Sequence, residues 1–391
     1  MNGGQMNEGH ANGGQANGGP KGDPLPENTA ATPGAAPAAL PTAVRYRIRH
    51  STSYQYSQNV AVCQNQLRMQ PISGGNVICH RSTLTVVPEP SSRDEHFDYF
   101  GNRVQAFSIE SKHRSLSVVV ESQVTIRQPR VVAESASPPW ETCLKPVGQR
   151  GGLPLRDEHR YASPRVAPGR PFADYARESF GDGRGIVEAA LDLTRRIHHD
   201  FAYDTTATDV NTTTERAFEL RAGVCQDFAH VQIACLRSIG LAARYVSGYL
   251  RTVPPPGKPR LVGADESHAW LEVFAGEDLG WLGLDPTNAC LVGMDHIPVS
   301  LGRDYGDVSP MRGVVLGGGT HTLKVSVDVA PAQEVAGSKD ASPPPNSPPA
   351  SQPQPAGESS ESGNPATANP APSPDPPTSQ SQSQSQPPPS G

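Results

Sequence analysis

Long apolar runs are missing from this chain. No stretch reaches the roughly 18 consecutive apolar residues that a membrane-spanning helix needs, so no span is expected. Clusters of basic charge are missing too. No run of five Lys or Arg occurs and the formal net charge is a mild −6, which recommends neither nucleic acid nor an anionic membrane surface as a partner. The opening residues, MNGGQMNEGH, carry neither the basic start nor the apolar stretch of a secretory leader. The six cysteines include no C-x-x-C pair and are too sparse for a disulfide scaffold. Reduced thiols in a cytoplasmic protein are the expectation.

Aromatic and β-branched residues are absent from the ends of the chain. Residues 1–43 hold no aromatic, valine or isoleucine, and beyond Val335 no large aliphatic or aromatic side chain occurs. Such segments bury too little apolar surface to offset the entropy of ordering. Residues 1–43 therefore read as a disordered polar arm, and 331–391 as a disordered tail rich in Pro, Ser and Gln. The remainder divides by composition and periodicity into a β domain at 44–130, a Pro/Gly-rich connector at 131–170 and a second domain at 171–330.

In the first of these the hydrophobic period is close to two. VRYRIRH alternates apolar and basic residues, and Leu116, Val118, Val120, Val124 and Ile126 share one face, interrupted by Ser122. Short strands with turn signals such as Gly101-Asn102 predict an antiparallel, sandwich-like β domain. The connector contains Trp140 and Leu144, which favour a course along the protein surface. The period then changes. Ile186, Ala190, Leu193, Ile197 and Phe201 fall at helical spacing, and TTTERAFELRAG reads as a short helix ending at Gly223. Val224, Phe228, Val231, Cys235 and Ile239 mark another helix, stopped by Gly240. Strand-like runs follow: AARYVSGYL, HAWLEVF, GWLGLDPTN and THTLKVSVDV. One helix followed by several strands is an α+β layout.

Cys225 opens that helix in RAGVCQDFAH, and three roles compete for it. A cysteine packs readily as a small hydrophobe; Cys235, within the apolar stripe, fits that role. A metal site built from Cys225, His230 and Cys235 fails on helix geometry. Each step of five residues turns the side chain by about 140°, and the three positions span about 15 Å of axis, too far for ligands at about 2 Å from one ion. A nucleophile remains. The partial positive charge at a helix N-terminus favours a thiolate. The backbone N–H of Cys225 has no partner in its own helix and can face a developing oxyanion. Gly223 leaves room for a substrate backbone to approach. Asp227 is turned away from Cys225 and reads as structural or as a cleft wall.

A base and an orienting acid lie downstream. His268 starts one strand and Asp285 ends the next, and a hairpin through AGEDLG would return Asp285 to His268. Pro286 stops the strand because it cannot donate to a ladder. Taken singly, His268 also reads as a strand histidine with a satisfied hydrogen bond, and Asp285 as an Asx turn before proline. Together with Cys225 they match the cysteine–histidine–acid logic of acyl transfer. Trp270 reads as core, and Asp304 with Asp307 as a hydrogen-bonded turn.

GVCQDFAHVQIACLRSIGLAARYVSGYL, HAWLEV and GWLGLDPTN resemble the bacterial transglutaminase-like proteins of the papain-like superfamily. YRIRHSTSYQYSQNVAVCQNQLRMQP resembles that family's β-rich N-terminal domain, and HIPVSLGRDYGDVSP and GGGTHTLKVSVDV its C-terminal segments. The resemblance implies a nucleophile helix packed on an antiparallel sheet in residues 171–330, with Cys225 as nucleophile, His268 as base and Asp285 as orienting acid. It implies thioester-forming acyl transfer on protein or peptide amides. A cysteine protease or amidase acting on peptide or isopeptide bonds is the alternative, and a non-catalytic binding or scaffolding module a third. No calcium loop is evident, and neither a metal nor a cofactor is expected.

Overall fold

The alternating first third of the chain forms strands far longer than the usual five or six residues. In the computed structural model, which describes residues 42–129, 137–145, 155–252 and 266–332, β1 (Ala43–Leu67) alone has 25 residues. It is followed by β2 (Val77–Val87), β3 (Ser92–Phe97), β4 (Arg103–Ile109) and β5 (His113–Arg127). The polar arm and the tail lie outside the described residues except at their inner ends, as do 130–136 and 146–154 of the connector.

The middle of the chain folds as α1 (Leu155–Glu158), α2 (Arg170–Arg177), α3 (Ile186–Asp200), β6 (Ala202–Tyr203), α4 (Thr214–Leu220), β7 (Ala222–Gly223) and α5 (Cys225–Ser238). Then come β8 (Ala243–Leu250), β9 (Glu266–Phe274), β10 (Trp281–Asp285), β11 (Cys290–Leu291), β12 (His296–Gly302), α6 (Tyr305–Val308), β13 (Met311–Gly317) and β14 (His321–Pro331).

Seven strands make the first sheet. Their registers place them in four long rows. β5 and β4 run end to end along one edge of β1, and β14 and β13 along the other. β2 and β3 line the outer edge of the β5–β4 row. The last two strands thus return to the first sheet, closing one side of β1 with residues about 270 positions away in sequence.

Leu116, Val118, Val120, Val124 and Ile126 are buried, and Ser122 among them is satisfied by the Ser82 hydroxyl at 2.9 Å. Tyr46, Ile48, His50 and Thr52 share the buried face of β1. After the register shifts between Gln55 and Val62 the buried positions become Cys63 and Leu67. An irregularity that changes the pairing by one residue exchanges the two faces of a strand.

The second sheet is fully antiparallel, in the order β11-β10-β9-β8-β12. It packs on the first through Tyr249, Ile297 and Val299 against Tyr46, Ile48, Val124 and Val327. Asn102, beyond Gly101 in the β3–β4 turn, pairs through both amide atoms with the backbone of Leu301, each bond 2.7 Å.

On the second sheet lies α5, buried from Asp227 to Arg237 without interruption. The stripe read from sequence is only its most apolar side; a helix covered all round is a core helix. Most of its buried polar side chains are tied down by hydrogen bonds. Arg237 donates to the carbonyls of His159, Ala243 and Arg303 and to Ser163 Oγ. Gln232 donates to Thr194 Oγ1. Gly240, at φ +88°, ends the helix in the left-handed conformation that favours glycine.

The short helix α4 stops earlier than the glycine signal indicated. Arg221 takes the left-handed cap position at φ 52°, its guanidinium stacked on Phe218, Tyr175 and Phe201 at 4.1, 4.7 and 4.8 Å. Those aromatic contacts offset the strain that a non-glycine residue carries there. Trp140 and Leu144, in a 3-10 turn, pack against the helical core, with Trp140 edge-on to Phe180.

Candidate active site

Cys225 and Asp285 sit at the ends of their elements and His268 is the third residue of its strand, and the structure brings their side chains together. Cys225 is the first residue of α5, after an extended Val224. The turn before it is built by Asp227, whose Oδ2 accepts from the Val224 N–H at 2.9 Å and from the Thr208 hydroxyl at 2.7 Å. Asp227 is thus a cap and not a cleft wall. Gly223 has φ +155°, and a Cβ there would stand 2.9 Å from Asp227 Cβ and Cγ. The glycine makes room for that cap.

His268 lies on β9 opposite Gly248 of β8. The β9–β10 hairpin pairs Leu271 with Leu284, which sets Asp285 level with Trp270 and puts Asp285, Trp270 and His268 on one face. Gly248 makes room on that face for Trp270, because a side chain there would collide with the Trp270 ring and the Ile297 carbonyl.

Asp285 is fully buried and His268 only 6% exposed. His268 Nε2 donates to Asp285 Oδ2 at 2.8 Å. With Nε2 so engaged, Nδ1 is the nitrogen left for Cys225, which lies close enough to the imidazole to act on its charge. Cys225 itself is half-buried and packs against the helical core.

The two readings of Asp285 hold simultaneously, one on each oxygen. Oδ1 closes the Asx turn by accepting the N–H groups of Thr287 and Asn288 at 2.9 and 3.1 Å. Oδ2 faces His268 and also accepts from the Asn288 amide at 2.7 Å and from His296 Nε2 at 3.0 Å. Asn288 and His296 were not singled out in the sequence. The available signal was a histidine opening an alternating strand in HIPVS, as His268 does in HAWLEV.

Burial works against charge at both titrating groups, and the local partners overcome it. Desolvation alone would push His268 down. Its bond to Asp285 and its interaction with Cys225 push it up to about 10. Burial would raise Asp285, but the donors from His268, His296 and Asn288 and the charge of His268 hold it well below the usual carboxylate range. Opposite charges in contact favour both ionised forms. An imidazolium–carboxylate pair beside a sulfur at a helix N-terminus is equipped to stabilise a thiolate and to deliver a proton.

His230 and Cys235, the other members of the trio tested for metal binding, are engaged elsewhere. His230 Nε2 accepts from the Tyr305 N–H at 3.1 Å, and Cys235 is buried in the core. The buried donor atoms of His268, Asp285 and His296 lie within 4.8 Å of one another. Both imidazoles already direct an N–H at the shared oxygen, so an ion there would have to replace two protons. Asp304 accepts the N–H groups of Arg165 and Gly306, and Asp307 pairs with Arg303. Both belong to a hydrogen-bonded turn.

Sequence models of two families match the chain. The bacterial transglutaminase-like N-terminal region covers residues 46–125, and the transglutaminase-like superfamily core covers 173–286. The core match includes Cys225, His268 and Asp285 and stops short of Asn288 and His296. Uncharacterized protein Rv2569c of Mycobacterium tuberculosis is 39% identical over 294 residues, 73% of this chain and 93% of that protein. Uncharacterized protein ML0607 of Mycobacterium leprae is 30% identical over 310 residues, 73% of this chain and 98% of that protein. Among solved structures, a protein from Cytophaga hutchinsonii described as a candidate cysteine protease aligns at a TM-score of 0.58 and 20% identity. That alignment covers 77% of this chain and 93% of the Cytophaga chain, and shows a shared fold.

Proposed function

The chain belongs to the transglutaminase-like superfamily, with the bacterial N-terminal region ahead of its core, and on that premise we propose that it is a cysteine-dependent acyl transferase acting on protein or peptide amides. One observation supports the reading: His268 is bonded to Asp285 and stands beside Cys225, at the first turn of a buried helix.

In the first half-reaction the Cys225 thiolate attacks the amide carbonyl carbon and forms the C–S bond. Charge moves to the carbonyl oxygen, which the Cys225 N–H is placed to receive. As the oxygen lone pair returns, the C–N bond breaks and the His268 imidazolium protonates the departing nitrogen. In the second half-reaction a primary amine attacks the thioester, His268 takes its proton and the thiolate leaves. Asp285 keeps the His268 Nε2–H directed away from the sulfur throughout and stabilises the imidazolium.

The test is incubation of a glutamine-containing peptide with a labelled primary amine. Amine incorporation that disappears in Cys225→Ala is the expected result. Peptide cleavage or ammonia release without incorporation would assign the same residues to hydrolysis instead. Absence of any Cys225-dependent product would sink the enzyme reading.

A further inference from the structure

Asp285 is shared by two histidines, and the mechanism above uses only one. His296 opens β12, is 6% exposed, and stands edge-on to Trp270 with ring centroids 5.3 Å apart. Both of its ring nitrogens are committed. The Gly293 N–H donates to Nδ1 at 3.2 Å, so Nδ1 carries no proton. Nε2 must then hold the hydrogen that it directs at Asp285 Oδ2, 3.0 Å away. The backbone thereby fixes a neutral tautomer whose N–H points at the same oxygen that His268 uses.

We propose that His296 is a positioning residue for acyl transfer, acting through Asp285: its N–H holds Oδ2 in place and divides that oxygen's charge between two imidazoles. The proposal rests on the reading of Cys225, His268 and Asp285 as the reacting group. Its physical basis is the strength of charge-assisted hydrogen bonds in a buried site. An Asp285 with His268 as its only imidazole partner would hold the imidazolium proton more tightly and release it less readily to the leaving amine. The second N–H weakens that grip without removing the charge. The Asx turn fixes Oδ1 and the Asn288 amide adds a third donor to Oδ2, but neither is an imidazole, and the His296 ring alone is held against Trp270 on the His268 side.

The titratable groups facing this centre come from four elements. Cys225 of α5 stands beside His268, and His268 of β9 and His296 of β12 bond to Asp285. Cys290 of β11 pairs with Asp285 of β10 and is pushed up to about 11 by burial and by the Asp285 charge. A neutral Cys290 thiol leaves the balance at Asp285 to the two histidines and Asn288.

The experiment compares wild type with His296→Phe and His296→Gln. Phe keeps a ring against Trp270 but cannot donate; the Gln amide can donate from nearly the Nε2 position. Two quantities are measured across the pH range: the rate of Cys225 alkylation by iodoacetamide, and kcat and KM for amine incorporation into a glutamine peptide. His268→Ala is the reference for the parent reading.

In the Phe variant the alkaline limb of the profile should move up by roughly half a unit or more, as undivided charge on Oδ2 favours the imidazolium. Its kcat should fall roughly 10- to 100-fold, within the ~10²–10⁴ that acid–base catalysis supplies, with KM little changed. Gln should restore both. A Phe variant with the wild-type profile and kcat overturns the proposal, as does equal loss in Phe and Gln without a shift of the limb. If alkylation in wild type does not depend on His268, the parent reading fails and this one with it. Dependence on His268 but not on His296 overturns this one alone. Should His296→Phe not fold, ¹⁵N-histidine NMR of the wild-type protein decides: the neutral Nε2–H tautomer is expected for His296, and an Nδ1–H form overturns the assignment.

Discussion

Five hydrogen bonds converge on the two oxygens of Asp285, and their division explains why the residue tolerates complete burial as an anion. A buried carboxylate is costly unless every lone pair is occupied. Asp285→Asn can still accept the Thr287 and Asn288 N–H groups on one atom. On the other it would turn an NH₂ toward three N–H donors, from His268, His296 and Asn288. We expect a fold that melts as a single transition and a kcat for amine incorporation reduced ~10³-fold or more. The pH profile follows from His268. Its proton is lost as the pH rises through about 10, and acid assistance to the leaving amine disappears with it. Activity should therefore fall on the alkaline side through that range in steady-state assays.

At the scale of elements, the entrance to α5 decides whether the sulfur is presented at all. Gly223, Val224 and Asp227 form one unit: the glycine's missing side chain admits the carboxylate, and the carboxylate ties down the N–H ahead of Cys225. Gly223→Ala brings both strain at φ +155° and a collision with Asp227, which we expect to cost about 1–3 kcal/mol in urea denaturation. Part of that cost is the collision, so a double-mutant cycle should show a smaller penalty for Gly223→Ala in an Asp227→Ala background. An unchanged penalty would mean that backbone strain alone is responsible. Asp227, placed in sequence between a structural role and the cleft wall, is resolved by this geometry.

Across the whole molecule, the two sheets and the helical layer enclose imidazoles that stay neutral. Burial lowers His50 to about 4. Burial, with the nearby charges of Arg237, Arg244 and Arg303, lowers His159 to about 3. Burial also lowers His230 to about 3, against the pull of Asp304. His50 sits where the sheets meet, its Nδ1 bonded at 3.0 Å to the Tyr249 hydroxyl, which in turn donates to the Met69 carbonyl. In the unfolded chain each of these groups takes a proton near 6.5, while the folded protein resists until lower pH. The unfolded state then binds more protons, so stability falls as pH drops from about 6.5 toward 4. His268 has the opposite sign: its contribution is complete below about 6.5 and is lost as pH rises through about 10. Urea midpoints measured against pH should therefore decline on the acid side before most carboxylates titrate. His50→Gln should flatten part of that decline.

The sequence by itself determined the local patterns. The alternating residues of β5, the glycine stop after α5, a cysteine at a helix start, a histidine opening a strand and an aspartate before proline are each set by a few neighbouring residues, so period and turn chemistry reveal them. Tertiary structure alone decided the rest. Residues 311–331 close the first sheet beside β1, because their alternation specifies a strand but not its neighbour. His296 reaches Asp285 only because β12 is brought into the same sheet through β8, and no spacing along the chain encodes that meeting; Asn288, three residues after Asp285, reaches it through the local turn. Patterns along a sequence fix which face of an element is apolar; which elements meet, and which polar groups are buried together, depends on packing between strands distant in sequence.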